Sequence, residues 1–423
     1  MSSDYFLSAD NVIATADQRE IEDLALRLIE RPELKRARDI ATILWRNAVA
    51  WPARDQMNRF DNMIDEYIFH YAIRAANGDA AYPGIVRFMV PKHHWFGRDV
   101  PGSRWAGDSP DFIYRVIPIA HGGQYELRGR ATCDNPPTVN YALMGDSNCA
   151  PATQGLLDSL DMVIEDDGRF LITIDGDPAD GRDNHLQTRP GADHLLIRDA
   201  LGDWVEQSPN ALLIRRTNPP GREPLTETEL AQRGAKNLLE GLYYTYYCTR
   251  SGSGQAPNQV RAPLSSAAFG GMATQMGTKG NLCLGEDDAM IVTVTAAGAQ
   301  FRNVMLTDNF HMSLDYWSNT ASLNMDQMAP DADGRFTYVV AHRDPGVHNW
   351  LDTCGLRETI FGHRWQAFAR DGSAGTPELE ARLVKLADLD RELPAGVKRI
   401  DAAGRAEQLA ARAAGFARRF VDC

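Results

Sequence analysis

The sequence has no paired-cysteine motif, no membrane-length apolar run and no block of positive charge, and each absence removes a class of function. Its six cysteines, Cys133, Cys149, Cys248, Cys283, Cys354 and Cys423, are scattered without a CxxC pair. A zinc ribbon or disulfide framework needs such spacing, so free thiols in a reducing, cytoplasmic setting are expected. No window approaches the roughly 20 apolar residues of a membrane span, and Met1 to Asp10 lacks the basic and apolar segments of a secretion signal. The formal net charge is -13, and the short basic clusters Lys35-Arg36-Ala37-Arg38 and Arg418-Arg419 sit in helical patterns. Neutralising a phosphate backbone takes a basic face, so nucleic acid is not an expected partner. Also missing are GxGxxG after a strand, GxxxxGK[ST], HExxH and GxSxG, which removes nucleotide-dependent and serine-esterase chemistry. No cofactor is expected.

What is present is a chain of 423 residues, longer than one core usually supports. Residues 1–105 read as helical. Ile21, Leu24, Ala25 and Leu28 recur at helical spacing after a capping-box-like Asp17-Gln18-Arg19-Glu20, and Phe60, Ile64, Tyr67, Ile68 and Tyr71 form a second stripe. Residues 106–220 change to alternating strands, with a Gly122-Gly123 hairpin turn and strands expected at 160–164, 170–174, 194–198 and 211–215. Residues 221–284 hold a helix capped by Thr226 and Glu229, then a long crossing segment rich in Gly, Ser, Ala and Gln. A second β unit is expected over 285–370, and two helices, 376–393 and 401–421, fill the tail from 371 to 423.

The two β units echo each other. Asp167-Gly168-Arg169-Phe170 returns as Asp333-Gly334-Arg335-Phe336, Asp177-Pro178 as Asp344-Pro345, and Asn184, Leu186 and Thr188 as Asn349, Leu351 and Thr353. Arg198 is matched by Arg364, and Gly123-Gln124-Tyr125 by Ala299-Gln300-Phe301. Asp-Gly alone would be explained by its preference for type I′ turns. An ordered series near one offset points instead to a duplicated β unit. The repeated Asn, Thr and Arg serve either as a structural hydrogen-bond bracket or as a ligand site.

The run Leu314-Asp315-Tyr316-Trp317-Ser318, Ser322-Leu323-Asn324, Gln327, Asp331 to Arg335, Asp344 to Asp352 and Arg364-Trp365 resembles the DUF1214 domain over roughly 285–370. Ser109-Pro110-Asp111-Phe112-Ile113-Tyr114-Arg115, with Tyr125 and Gly129, is similar to the partner DUF1254 segment, although that family more often carries Asn where Ser109 stands. The resemblance implies a mainly β protein with accessory helices: an immunoglobulin-like antiparallel β-sandwich followed by one of jelly-roll type. It implies nothing about the reaction.

The chemistry therefore rests on residue types. His311, Tyr316, His342 and Asp344 are candidate catalytic groups, since imidazole titrates near neutrality. Trp317, Asn319, Asn324, Asn349, Trp350 and Arg364 are candidates to line a half-apolar pocket, with Trp walls and with Asn and Arg to fix a carboxylate or carbonyl. Tyr114 and Arg115 join them if the two β units share a cavity. The leading expectation is a cofactor-independent lyase, isomerase or hydrolase for a small, partly apolar metabolite. One alternative is a non-catalytic sandwich binding a carbohydrate or protein. Another is a metal enzyme using His342, Asp344 and His348. The loop Asp175 to Gly181 only partly matches a calcium loop and reads as a polar turn. Self-association of copies of the chain is left open.

Overall fold

The computed structural model describes residues 4–48, 54–145, 152–266, 272, 274–369, 371 and 373–420. The chain opens with helices α1 (Ala16–Ile29), α2 (Pro32–Ala48), α3 (Arg54–Met57) and α4 (Phe60–Ala76). The cap of α1 is Thr15, whose side chain accepts from the Gln18 N–H, two residues ahead of the expected start. Helix α4 is apolar nearly all round and accordingly central, packing on α1 and α2. Short strands β1 (Val86–Phe88), β2 (His93–Trp95) and β3 (Arg98–Val100) then interrupt the region read as helical.

The first β unit comprises β4 (Phe112–Pro118), β5 (Tyr125–Arg130), β6 (Thr138–Gly145), β7 (Ala152–Asp158), β8 (Arg169–Asp175), β9 (His185–Gln187), β10 (Ala192–Ala200) and β11 (Ala211–Arg216). They form two sheets, ordered β1-β4-β10-β6-β7 and β11-β5-β8-β9. Helix α5 (Glu227–Ser253) follows, with the reciprocal Thr226 and Glu229 cap in place: the Thr226 N–H donates to Glu229 Oε2 and the Glu229 N–H to Thr226 Oγ1. Short β12 (Gln259–Val260) and β13 (Leu264–Ser265) lead into the second unit. Its strands are β14 (Met276–Cys283), β15 (Asp288–Val294), β16 (Ala299–Thr307), β17 (Ser322–Asn324), β18 (Phe336–Ala341), β19 (Trp350–Asp352), β20 (Glu358–Phe368) and β21 (Leu379–Lys385), and α6 (Leu389–Glu392) and α7 (Ala402–Ala417) close the chain.

Strand order establishes the duplication. The second unit's sheets run β14-β20-β16-β17 and β21-β15-β18-β19, which is the first unit's β4-β10-β6-β7 and β11-β5-β8-β9 with every strand replaced by its copy. A parallel strand pairing is copied as well, β8 with β9 and β18 with β19. The repeated asparagines do identical work. Asn184 Oδ1 accepts from the Val163 N–H and its Nδ2 donates to Val163 O; Asn349 does the same to Ala329. Each ties a preceding loop to the parallel strand, which is the bracket reading of the repeat. The Gly123-Gln124-Tyr125 echo is the exception, because it aligns β5 with β16, whereas the copy of β5 is β15.

Each sandwich has its own core: Leu127, Tyr141, Phe170, Ile172, Leu195 and Ile197 in the first, and Val292, Val304, Leu306, Tyr338, Phe361 and Trp365 in the second. Strand alternation then fixes the other face. With Leu195 and Ile197 turned into the core, His194, Leu196 and Arg198 point outward; with Phe361 and Trp365 inward, Ile360, Gly362 and Arg364 point outward.

Two expected elements differ. Residues 376–393 do not form one helix, because Leu379–Lys385 pairs along the open edge of β15 from Asp288↔Lys385 to Val294↔Leu379. Its Leu, Glu, Ala, Arg and Lys favour a helix only weakly against a ladder of edge hydrogen bonds. Residues 160–164 form turn and loop beyond β7, leaving Val163 and Ile164 exposed. Cys133, Cys248, Cys283 and Cys354 are free thiols, while Cys149 and Cys423 lie outside the described residues. No helix among the described residues is long and apolar enough to cross a membrane.

Candidate binding cavity between the two sandwiches

The outward faces of β4 and β10 in the first unit and of β14, β16 and β20 in the second each form a wall of one cavity of about 270 Å³. Helix α4 contributes His70 and Arg74, and α5 contributes Tyr244, Tyr247 and Cys248. Tyr247 and Leu264 both line it and stay about half exposed, at 49% and 45%, which locates its mouth beside the C-terminal part of α5.

The loop joining β3 to β4 is knitted to the β16–β17 connection and completes the lining. Asp111 is fully buried and accepts from Asn303 Nδ2, Asn324 Nδ2 and Trp204 Nε1, while Ser109 Oγ also accepts from Asn303 Nδ2. Asp108 accepts from both the N–H and the hydroxyl of Ser313, and burial raises its carboxyl to about 6. These contacts fix His311, which has φ 63 and whose carbonyl accepts from the Gly107 N–H at 2.6 Å. Gly107 is required there: a Cβ would stand 2.7 Å from His311 Nε2. A histidine held in the left-handed region is uncommon enough to draw attention to the position.

The electrostatics are one-sided. Arg74, Arg198, Arg261, Lys279 and Arg364 all line the cavity, Arg74 pairing with Asp193 at 3.3 Å, and no Asp or Glu among the described residues does. Arg364 Nη2 donates to Gly107 O at 2.7 Å and its Nη1 lies 3.2 Å from Met305 Sδ. Arg198 Nη1 is buried without a hydrogen-bond partner. Burial drops the Lys279 ammonium to about 7, with the Arg364 and Arg261 charges adding to the shift and Cys248 opposing it. His311 is pushed well below its ordinary value by burial and then by Lys279, Arg364 and Arg261, so it is neutral at physiological pH, with Nδ1 unpartnered. A buried guanidinium nitrogen without an acceptor, such as Arg198 Nη1, is costly unless something anionic arrives to meet it. Around this charge the walls are aromatic and sulfur-bearing: Trp105, Tyr114, Tyr244, Phe112, Met144 and Met305.

Of the residues singled out from sequence, Tyr114, His311 and Arg364 meet in this cavity. The others are placed elsewhere. Arg115 points into the first sandwich core, donating to both oxygens of Asp199 and to Asn210 O, so it shares no cavity with Trp317 or Asn349. Tyr316 and Trp317 pack on Phe416, and Arg412 of α7 donates to the carbonyls of Tyr316 and Asn319. Asn324 holds Asp111 and the carbonyls of Leu201 and Gly202. Asn349 is the bracket described above, and Trp350 donates to Ala341 O beneath the Arg405 guanidinium. His342 bridges Thr353 and Leu284 O, Asp344 pairs with Arg405, and His348 meets Asn349 Oδ1. Those last three do not converge, and no His, Cys, Asp and Glu cluster among the described residues could hold a metal. Much of the DUF1214-like run thus serves as the seat of α7.

Sequence reading missed Lys279, Arg261, Tyr244, Cys248 and, as a site residue, Arg198. Arg198 carried a signal, since it is the repeat partner of Arg364. Lys279 carried none, because Gly277 and Gly280 around it erase the alternation that would have marked a strand.

No family model and no curated protein sequence matches the chain. Among solved structures it is similar to an uncharacterised protein from Burkholderia cenocepacia, at 24% identity and a TM-score of 0.70, covering 86% of this chain and 100% of that one. A second, the VPA0106 protein of Vibrio parahaemolyticus, aligns at 12% identity over 76% of this chain and 99% of that one, with a TM-score of 0.37. What the chain shares with the Burkholderia protein is its fold.

Proposed function

We propose that the protein is a cofactor-independent enzyme, a lyase, isomerase or hydrolase, acting on a small, partly apolar anion held between its two β units. One observation carries the reading: five cationic side chains, Arg74, Arg198, Arg261, Lys279 and Arg364, and no carboxylate among the described residues line an aromatic-walled cavity. At about 270 Å³ it falls just below the roughly 300–1,000 Å³ of sites for drug-sized ligands, so the substrate is a small metabolite. Arg198 and Arg364 supply the forked donors that suit a carboxylate. Lys279, near 7, is part neutral amine at physiological pH and so is able to take a proton from a substrate carbon or oxygen. The ammonium so formed on Lys279 holds that proton and can return it to the product, while neutral His311 offers the substrate a hydrogen bond.

A cavity walled by both β units favours a small molecule over the shallow aromatic platform of a carbohydrate- or protein-binding module. The motif run over 285–370 supports assignment to the DUF1214/DUF1254 family, and the scattered free thiols support a cytoplasmic setting. The test is mass spectrometry of small molecules released from the purified protein, followed by calorimetric titration. An organic acid that binds wild type, and binds Arg198→Met or Arg364→Met at least tenfold more weakly, supports the reading. Turnover should rise with pH around 7 and lose that limb in Lys279→Met. Retention of neutral molecules only, with both arginine variants binding as wild type does, would sink it.

A further inference from the structure

The walls of the cavity are copies, yet they differ at three of four matched positions. Registers align Tyr114 opposite Arg198 in the first unit with Gly277 opposite Arg364 in the second, and Val116 opposite Leu196 with Lys279 opposite Gly362. The β14–β20 wall is therefore a checkerboard, two glycines on one diagonal and two cations on the other, where the β4–β10 wall carries Tyr114 and Leu196 in place of the glycines.

Neither glycine is needed by the backbone. Neither has a positive φ, and a Cβ would stand 3.5 Å from the nearest atom at Gly277 and 3.9 Å at Gly362, ordinary contact distances. Glycine inside a strand is destabilising relative to alanine, so two on one bare patch call for a reason. Such glycines mark close approach of a ligand or another backbone. Here the patch faces the cavity, with Lys279 and Arg364 beside it and Arg198 and the rings of Tyr114 and Tyr244 elsewhere in the lining.

Building on the anion reading above, we propose that the ligand is a planar, conjugated carboxylic acid, an aryl or enoyl acid. Its flat body lies on the floor made by Gly277 and Gly362, and its carboxylate is held by Arg198 and Arg364. The aromatic and methionine walls suit a π face, since ring stacking and sulfur contacts both reward one.

The experiment compares benzoate and cinnamate with cyclohexanecarboxylate, which matches benzoate in size but not in flatness, by calorimetry on wild type, Gly277→Ala, Gly362→Val and Arg198→Met. Circular dichroism and melting curves confirm that each variant folds. Wild type should bind a planar acid at least tenfold more tightly than cyclohexanecarboxylate. The glycine variants should erase that preference, and Arg198→Met should weaken every acid alike. Equal affinity for benzoate and cyclohexanecarboxylate, or an unchanged preference in both glycine variants, overturns the planar ligand and leaves the anion site standing. If folded wild type binds none of these acids, the planar ligand is overturned; if it also retains only neutral molecules, the anion site goes with it.

Discussion

The two sandwiches share one strand order but have diverged on both faces of the same sheet. On the inner face, the first unit buries an ion pair, Arg115 with Asp199 at 2.9 Å, where register places Thr278 and the apolar Trp365 in the second. On the outer face the first unit is filled by Tyr114 and Leu196, and the second is bare. A duplicated fold thus tolerates free exchange of side chains so long as the ladder and its brackets persist. The kept positions, Asn184 with Asn349 and the Asp-Gly turns, hold backbone in place, the kept Arg198 and Arg364 face the cavity, and the changed positions give its two walls their different relief.

The largest effect that would probe this comparison lies at the buried pair. Asp199→Ala strands the Arg115 guanidinium in the core and should cost roughly 3–5 kcal/mol by urea unfolding. Arg115→Met with Asp199→Leu, which makes the first core apolar like the second, should recover most of that loss. A double variant no more stable than the single one would show that the pair has a role its counterpart lacks.

Next come the brackets. Asn349→Ala should destabilise by roughly 1–3 kcal/mol, because Asn349 is buried at 2% exposure and its loss leaves the Ala329 amide groups unmet. Asn184→Ala, half-buried, should cost less, because water takes over its bonds. Equal losses would mean that both copies are equally sealed.

The last test is a pH dependence. Lys279 holds its proton less readily in the folded protein, near 7, than in the unfolded chain, near 10.5. The unfolded state therefore binds the extra proton between those values, and stability contributed through this group rises with pH across that window. The penalty is complete below about 7 and gone above about 10.5. Lys279→Met should accordingly raise the urea midpoint most at pH 6.5 and hardly at all at pH 10; a gain independent of pH would contradict the shift. The position matching Lys279 in the first unit is Val116, so Val116→Ala should show no such trend.

How much of this was legible from sequence follows from the periodicities involved. The duplication was visible because turn and bracket residues sit at near-constant offsets: the Asp-Gly turns, Asn184 with Asn349, and Arg198 with Arg364. Strand β21 was hidden because its residues favour a helix and only the open edge of β15 makes it extended. Tyr316, Trp317 and Trp350 looked like pocket walls because aromatic side chains suit a ligand and a packed helix equally, and nothing local reveals that α7 covers them. The cavity itself is a meeting of residues from α4, α5, β4, β10, β14 and β20, a juxtaposition that only the closed fold declares.

The bare glycine patch has a stereochemical consequence. Lys279 rises from the same sheet face as the two glycines, so its amine would reach a flat molecule lying on them from the floor side alone. Once in-plane contacts fix which way round such a molecule lies, chemistry delivered from that amine would arrive at one face of a trigonal carbon.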